Sequence, residues 1–112
     1  MSMERAVLTT TVETADWQPD DETGGLVHLL RAGETVEAGL WQAGAAVGRT
    51  IELELAADEA LIVLAGSARL EVDDEPAIEL RPGVMVSLQK GARTRWVADS
   101  EFREFWVYAK QP

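Results

Sequence analysis

The chain has 112 residues, and ten Lys and Arg stand against twenty Asp and Glu for a formal net charge of −10. That length is one domain with enough apolar residues for a real core; the charge repels phosphate backbones and anionic lipid, so neither nucleic acid nor a membrane is an expected partner. The absence of cysteine excludes a disulfide framework, a thiolate metal site and a Cys nucleophile.

The first residues, MSMERAVLTTTVETADW, lack an apolar core flanked by basic residues, so no signal peptide is expected. The longest apolar run, Ala60 to Ala65, is too short to span a bilayer. A cytoplasmic location is the default expectation.

In chain order, residues 1–25 read as an N-terminal arm, able to add a short edge strand to the main domain of residues 26–112. Ala6-Val7-Leu8 and Trp17 are its candidates for burial, and Gln18 to Gly25 is a turn-rich acidic loop. Leu26 to Arg31 and Val36 to Gln42 are strands, with a loop over Gly44 to Gly48. From Thr50, Ile51, Leu53 and Leu55 alternate with Glu52 and Glu54, the period of a half-buried strand. Ala56-Ala57-Asp58 breaks the pattern, and Glu59 leads into the apolar run ended by Gly66. We read the two strands as a hairpin with one acid at the mouth of the second. Ala68, Leu70 and Val72 resume alternation.

Ala77 to Leu80 is a brief strand between turns at 73–76 and 81–83, where Pro82-Gly83 presets the backbone. Val84 to Leu88 alternates only loosely and suits a strand buried on both sides. Thr94 to Ala98 and Glu104 to Ala109 are the last strands, separated by Asp99-Ser100-Glu101. No window sustains a 3.6-residue period, so little or no helix is expected. Short strands at intervals of about 8–12 residues with turn signals between them indicate an all-β sandwich or barrel.

Chemistry-bearing residues are few. His28 is the lone histidine, so a two-histidine metal site cannot form within one chain, and the residue reads as part of a strand. No serine sits in a nucleophile elbow and no glycine-rich phosphate cradle follows a strand. Glu52, Glu54 and Glu59 remain. If the face carrying Glu52 and Glu54 points inward, three carboxylates converge to hold a hard cation or to raise one another's pKa. Burying two uncompensated carboxylates costs several kcal/mol, however, whereas burying Ile51, Leu53 and Leu55 gains roughly 1.5–3 kcal/mol apiece. The leucines are therefore expected inside, with Glu59 as the one inward carboxylate. Arg93 and Arg95 share a strand face and suit either a ligand carboxylate or the surplus of local acids. The four tryptophans, Trp17, Trp41, Trp96 and Trp106, suit a core, an interface or the wall of a ligand cavity.

Two segments carry a family resemblance. Glu59-Ala-Leu-Ile-Val-Leu-Ala-Gly66 has the glutamate and glycine of a first cupin motif. Gly83-Val-Met-Val-Ser-Leu-Gln89-Lys90-Gly91 has the form of a second, with Gln89 replacing proline. With Trp41, Trp96 and the terminal run Phe102 to Tyr108, residues 25–110 resemble small single-domain cupins of the RmlC-like type, in particular the ureidoglycine aminohydrolase-like, cupin type 3 group. The resemblance implies a double-stranded β-helix (jelly-roll) barrel and pairing into a homodimer through an edge strand or sheet face.

The resemblance also supplies a metal-site template, which this sequence departs from. The histidine pair of the first motif falls on Leu53 and Leu55, or on Glu52 and Glu54, and the histidine of the second falls on Thr94. The leading expectation is a small organic ligand held in the barrel with no cofactor, among Leu53, Leu55, Glu59, Thr94 and Trp96, with Arg93 or Arg95 near the rim and Glu59 as orienting group or proton carrier. The alternative is a divalent metal on Glu52, Glu54, Glu59 and Thr94, serving a hydrolase like ureidoglycine aminohydrolase. A third is a non-catalytic partner subunit with a filled barrel.

Overall fold

The computed structural model describes residues 5–98 and 101–110. The first four residues of the expected arm, Asp99-Ser100 of the expected turn and the last two residues of the expected barrel lie outside these. Ten strands succeed one another among the described residues: β1 Gln18–Pro19, β2 Leu26–Ala32, β3 Val36–Gln42, β4 Thr50–Glu54, β5 Asp58–Ala65, β6 Ala68–Val72, β7 Ile78–Leu80, β8 Met85–Leu88, β9 Arg93–Ala98 and β10 Arg103–Ala109. The one helical element among the described residues is a single 3₁₀ turn at Gly44–Ala46, within the expected loop. Among the described residues no helix is long and apolar enough to cross a membrane.

The strands form two sheets. The larger runs β1-β2-β3-β10-β5-β8 and the smaller β4-β9-β6-β7, with every pairing antiparallel. Their inner faces share one core, as alternation along each strand requires. This is the double-stranded β-helix of the cupin barrel. Leu70 and Leu80 from the smaller sheet and Val63 from the larger are fully buried. Phe102 joins them between the sheets, with its ring centroid 6.0 Å from that of Trp41 and 6.4 Å from that of Trp96. Burying each of these side chains contributes about 1.5–3 kcal/mol.

The hairpin expected over residues 50–65 does not form. β4 pairs with β9 in the smaller sheet, whereas β5 lies between β10 and β8 in the larger. The segment between them is a corner where the chain changes sheet. Leu55 holds it to the turn after β8: its N–H donates to the Ala92 carbonyl at 2.9 Å, and its own carbonyl accepts from Gly91 N–H at 2.8 Å. A second corner separates β5 from β6 at Gly66, which has φ +71°. A Cβ there would stand 2.6 Å from the Glu101 carbonyl and from Phe102 N, so only glycine allows the two backbones to cross.

Two further expectations are corrected. Val84 to Leu88 is not buried on both sides: β8 is an edge of the larger sheet, and Met85 is 76% exposed. Ala6, Val7 and Leu8 are exposed, in a segment that forms no strand and so pairs with neither sheet. Trp17 is half-buried, its Nε1–H reaching the Val12 carbonyl at 3.4 Å.

Candidate functional site

Between the two sheets lies a cleft of about 60 Å³. Its walls follow from strand parity. On β4, Ile51 and Leu53 face inward, continued by Leu55 at the corner, while Glu52 and Glu54 are exposed on the opposite face. On β9, Trp96 turns into the cleft. The larger sheet supplies Trp41 from β3, Glu59 from β5, and Glu104, Trp106 and Tyr108 at successive inward positions of β10. Glu22 and Thr23, from the loop before β2, close the remaining side.

Two details of the backbone make room for this set. Gly39 on β3 lies opposite Trp106. A Cβ at Gly39 would stand 2.3 Å from the His28 carbonyl oxygen and 3.0 Å from Trp106 Cζ2, so the indole occupies the space a side chain would need. The β5–β10 ladder also slips by one residue between Arg103, opposite Ala65, and Glu104, opposite Val63. Such a bulge re-aims a side chain. Here it falls at the position where Glu104 enters the interior.

Glu59 and Glu104 are each only 6% exposed. Burial raises the Glu59 pKa from 4.5 to about 7. Glu104 is held well above the ordinary carboxyl range, first by burial and then by the charge of Glu59. Its Oε2 is buried and has no hydrogen-bond partner among the described residues, a state that costs about 1–3 kcal/mol. Tyr108, opposite Glu59 in the ladder, is pushed upward by burial and then by the surrounding carboxyls, Glu59 foremost. No Lys, Arg or His is among the described residues that line the cleft.

Of the residues expected around a ligand, Leu53, Leu55, Glu59 and Trp96 line the cleft. Thr94 is buried beside it, and its hydroxyl is engaged in bracing the wall. Oγ1 donates to the Leu53 carbonyl at 2.9 Å and accepts from Trp96 Nε1 at 3.0 Å, which fixes the indole. Arg93 does not line the cleft. With Thr94 and Trp96 inward, β9 must turn Arg93 and Arg95 to the outer face. There Arg95 pairs with Glu52 at 2.9 Å, and Arg93 approaches Glu54 at 3.7 Å. Glu22, Thr23, Trp41, Ile51, Glu104, Trp106 and Tyr108 complete the lining; of these, Glu22, Thr23, Glu104 and Tyr108 are site residues that sequence reasoning does not reach.

The same parity decides the fit of a metal. Glu52 and Glu54 point away from Glu59 and Thr94, so the four oxygen donors do not converge. No group of three or more His, Cys, Asp or Glu placed to hold a metal occurs among the described residues. The two inward carboxyls, without an imidazole, do not match the donor set of a metal-dependent cupin.

The rim is organised by Trp41. Its Nε1–H donates to Thr23 Oγ1 at 2.9 Å and to Asp20 Oδ2 at 3.2 Å, tying the loop of residues 20–25 to the indole that forms the wall.

Solved structures of the same fold extend from bacteria to yeast, at identities that speak to fold alone. A putative ethanolamine utilization protein Q from Salmonella typhimurium superposes with a TM-score of 0.76 at 17% identity, covering 88% of this chain and 82% of that one. The EutQ protein of Clostridium difficile gives 0.73 at 16% identity over 90% and 85% of the two chains. A protein of unknown function from Rhizobium leguminosarum gives 0.75 at 19% identity over 99% and 100%. No curated protein sequence matches the chain. The EutQ-like cupin domain family matches residues 30–107, which carry every strand of the cleft wall from β3 to β10 except the last two residues of β10. The chain belongs to the EutQ-like cupin domain family.

Proposed function

We propose that this cupin binds a small organic ligand in the barrel through its own side chains, without a resident metal. The observation that carries this reading is the cleft itself: aromatic and aliphatic walls converge on two buried carboxyls, one of which has an unpartnered oxygen. Apolar walls with a few convergent polar groups of shifted pKa are the usual make-up of a ligand site. At about 60 Å³, the cleft has room for about four water molecules at ~15 Å³ each. A ligand of only a few non-hydrogen atoms therefore fits. In this reading Glu59, poised near neutrality, orients the ligand and carries a proton to or from it.

Chelator-treated, dialysed protein is expected to keep its ligand affinity, and Glu59→Gln to lose it. Near-stoichiometric Mn, Fe, Ni or Zn in the purified protein, with binding lost on chelation, would favour the metal-dependent hydrolase instead. We further infer that a second copy of the chain docks on the outer face of the larger sheet. Ala60, Ile62, Met85, Phe105 and Val107 form a shallow apolar groove there. The cytoplasm is the proposed location, testable by cell fractionation.

A further inference from the structure

The described lining of the cleft holds carboxyls and no basic side chain. We propose that its ligand is a small primary ammonium ion, with its N–H groups on Glu104 and Glu59 and its short alkyl part among Trp41, Trp96 and Trp106. The inference rests on the reading of this cleft as the ligand site.

Three observations carry it. Glu104 Oε2 is buried, lines the cleft and has no hydrogen-bond partner among the described residues, so once the carboxyl gives up its proton a ligand that carries a donor satisfies it. An ammonium group brings three and has no acceptor to be left unpaired. Second, with no basic side chain in the described lining, a carboxylate or phosphate ligand would meet two carboxyls and no counter-charge. Third, apart from Thr23, whose hydroxyl is engaged by Asp20 and Trp41, the remaining surface is indole, phenol and aliphatic carbon. A hard inorganic cation needs six or more oxygen ligands, which this wall does not supply. A cation carrying its own hydrocarbon matches it, because indole faces attract ammonium groups and the alkyl part is removed from water. The net charge of −10 and Glu22 at the rim draw cations toward the mouth.

The titratable groups facing the ligand are Glu59 on β5, Glu104 and Tyr108 on β10, and Glu22 on the loop before β2; the residues of β3, β4 and β9 that line the cleft carry none. With burial holding protons on Glu59 and Glu104 in the empty cleft, an entering ammonium ion displaces them. Affinity therefore rises as pH increases through about 7, and binding releases protons.

The test is calorimetric and fluorescence titration with methylammonium and ethylammonium, against tetramethylammonium, acetamide and acetate. Ethylammonium is expected to bind tightest, with proton release read from the difference between two buffers of unlike ionisation heat at pH 7. Glu104→Gln is expected to weaken it by about tenfold or more while leaving the circular dichroism spectrum unchanged. Should that variant not fold, Glu59→Gln and the proton release decide the matter. Tighter binding of acetamide or acetate, binding without proton release, or unchanged affinity in the folded Gln variants overturns the ammonium assignment and leaves the ligand site standing. Saturation by none of the five overturns both.

Discussion

Glu59 stands opposite Tyr108 across the β5–β10 ladder, and the two share a wall with Glu104 in which no described residue carries a positive charge. An interior that collects three acidic groups without a cation is more stable while protons stay on them. Folding thereby becomes coupled to pH. A carboxyl raised from 4.5 to about 7 holds its proton longer in the folded chain than in the unfolded one. Stability is thus greatest at and below the unfolded pKa and declines as pH rises through the folded one. For Glu59 this amounts to about 3 kcal/mol lost between pH 4.5 and pH 7–8. Glu59→Gln is expected to flatten that limb of the curve, so that urea midpoints of variant and parent diverge progressively above pH 5. Parallel curves would show that Glu59 titrates normally.

The indole of Trp106 and the missing side chain of Gly39 fill one space. Gly39→Ala forces a Cβ to within 2.3 Å of a backbone carbonyl, which no rotamer can relieve. A loss of about 2–3 kcal/mol is expected, with the Trp106 fluorescence shifted as the ring is displaced. Chemical denaturation followed by tryptophan emission reads both.

Trp41→Phe keeps an aromatic wall but removes the N–H that ties down Thr23 and Asp20. About 1 kcal/mol of stability is expected to go with it. The larger effect is local: amides of residues 20–25 should exchange with solvent faster by an order of magnitude, while those of β5 and β10 keep their protection. Hydrogen-exchange mass spectrometry distinguishes this from general loosening.

Met85 is exposed on the apolar outer face of the larger sheet. Met85→Lys should leave the melting temperature of the monomer within about a degree or two, as for other surface substitutions, and convert a dimer to a monomer in sedimentation velocity. A parent protein that sediments as a monomer at tens of micromolar would remove this face as the dimer contact.

Much of the fold is legible in alternation. Ile51, Leu53 and Leu55 against Glu52 and Glu54 set the register of β4, and with it the inward placement of Glu59 after the corner. Alternation is a local signal, however, and names no partner. Leu53 pairs with Thr94, forty-one positions away, so two strands adjacent in sequence resemble a hairpin although they belong to different sheets. Arg93 suggests a rim position for a similar reason. Its proximity to Thr94 in sequence is real, but neighbours on a strand point to opposite faces. Glu104 is hidden because β10 is apolar on both faces, Phe105 and Val107 alternating with Trp106 and Tyr108. The one clue is its parity with the two largest aromatics, and parity alone does not say which face is inside.

The middle of the larger sheet is β10, the last strand in chain order, inserted between β3 and β5. During synthesis the earlier strands emerge with their central partner still missing, and β3 and β5 wait with unpaired edges until residues 103–109 leave the ribosome. Glu104 arrives with that strand. The polypeptide is thus committed to burying its most awkward acid in the same event that closes the barrel, and a nascent chain stalled before residue 103 has no cleft with which to recognise anything.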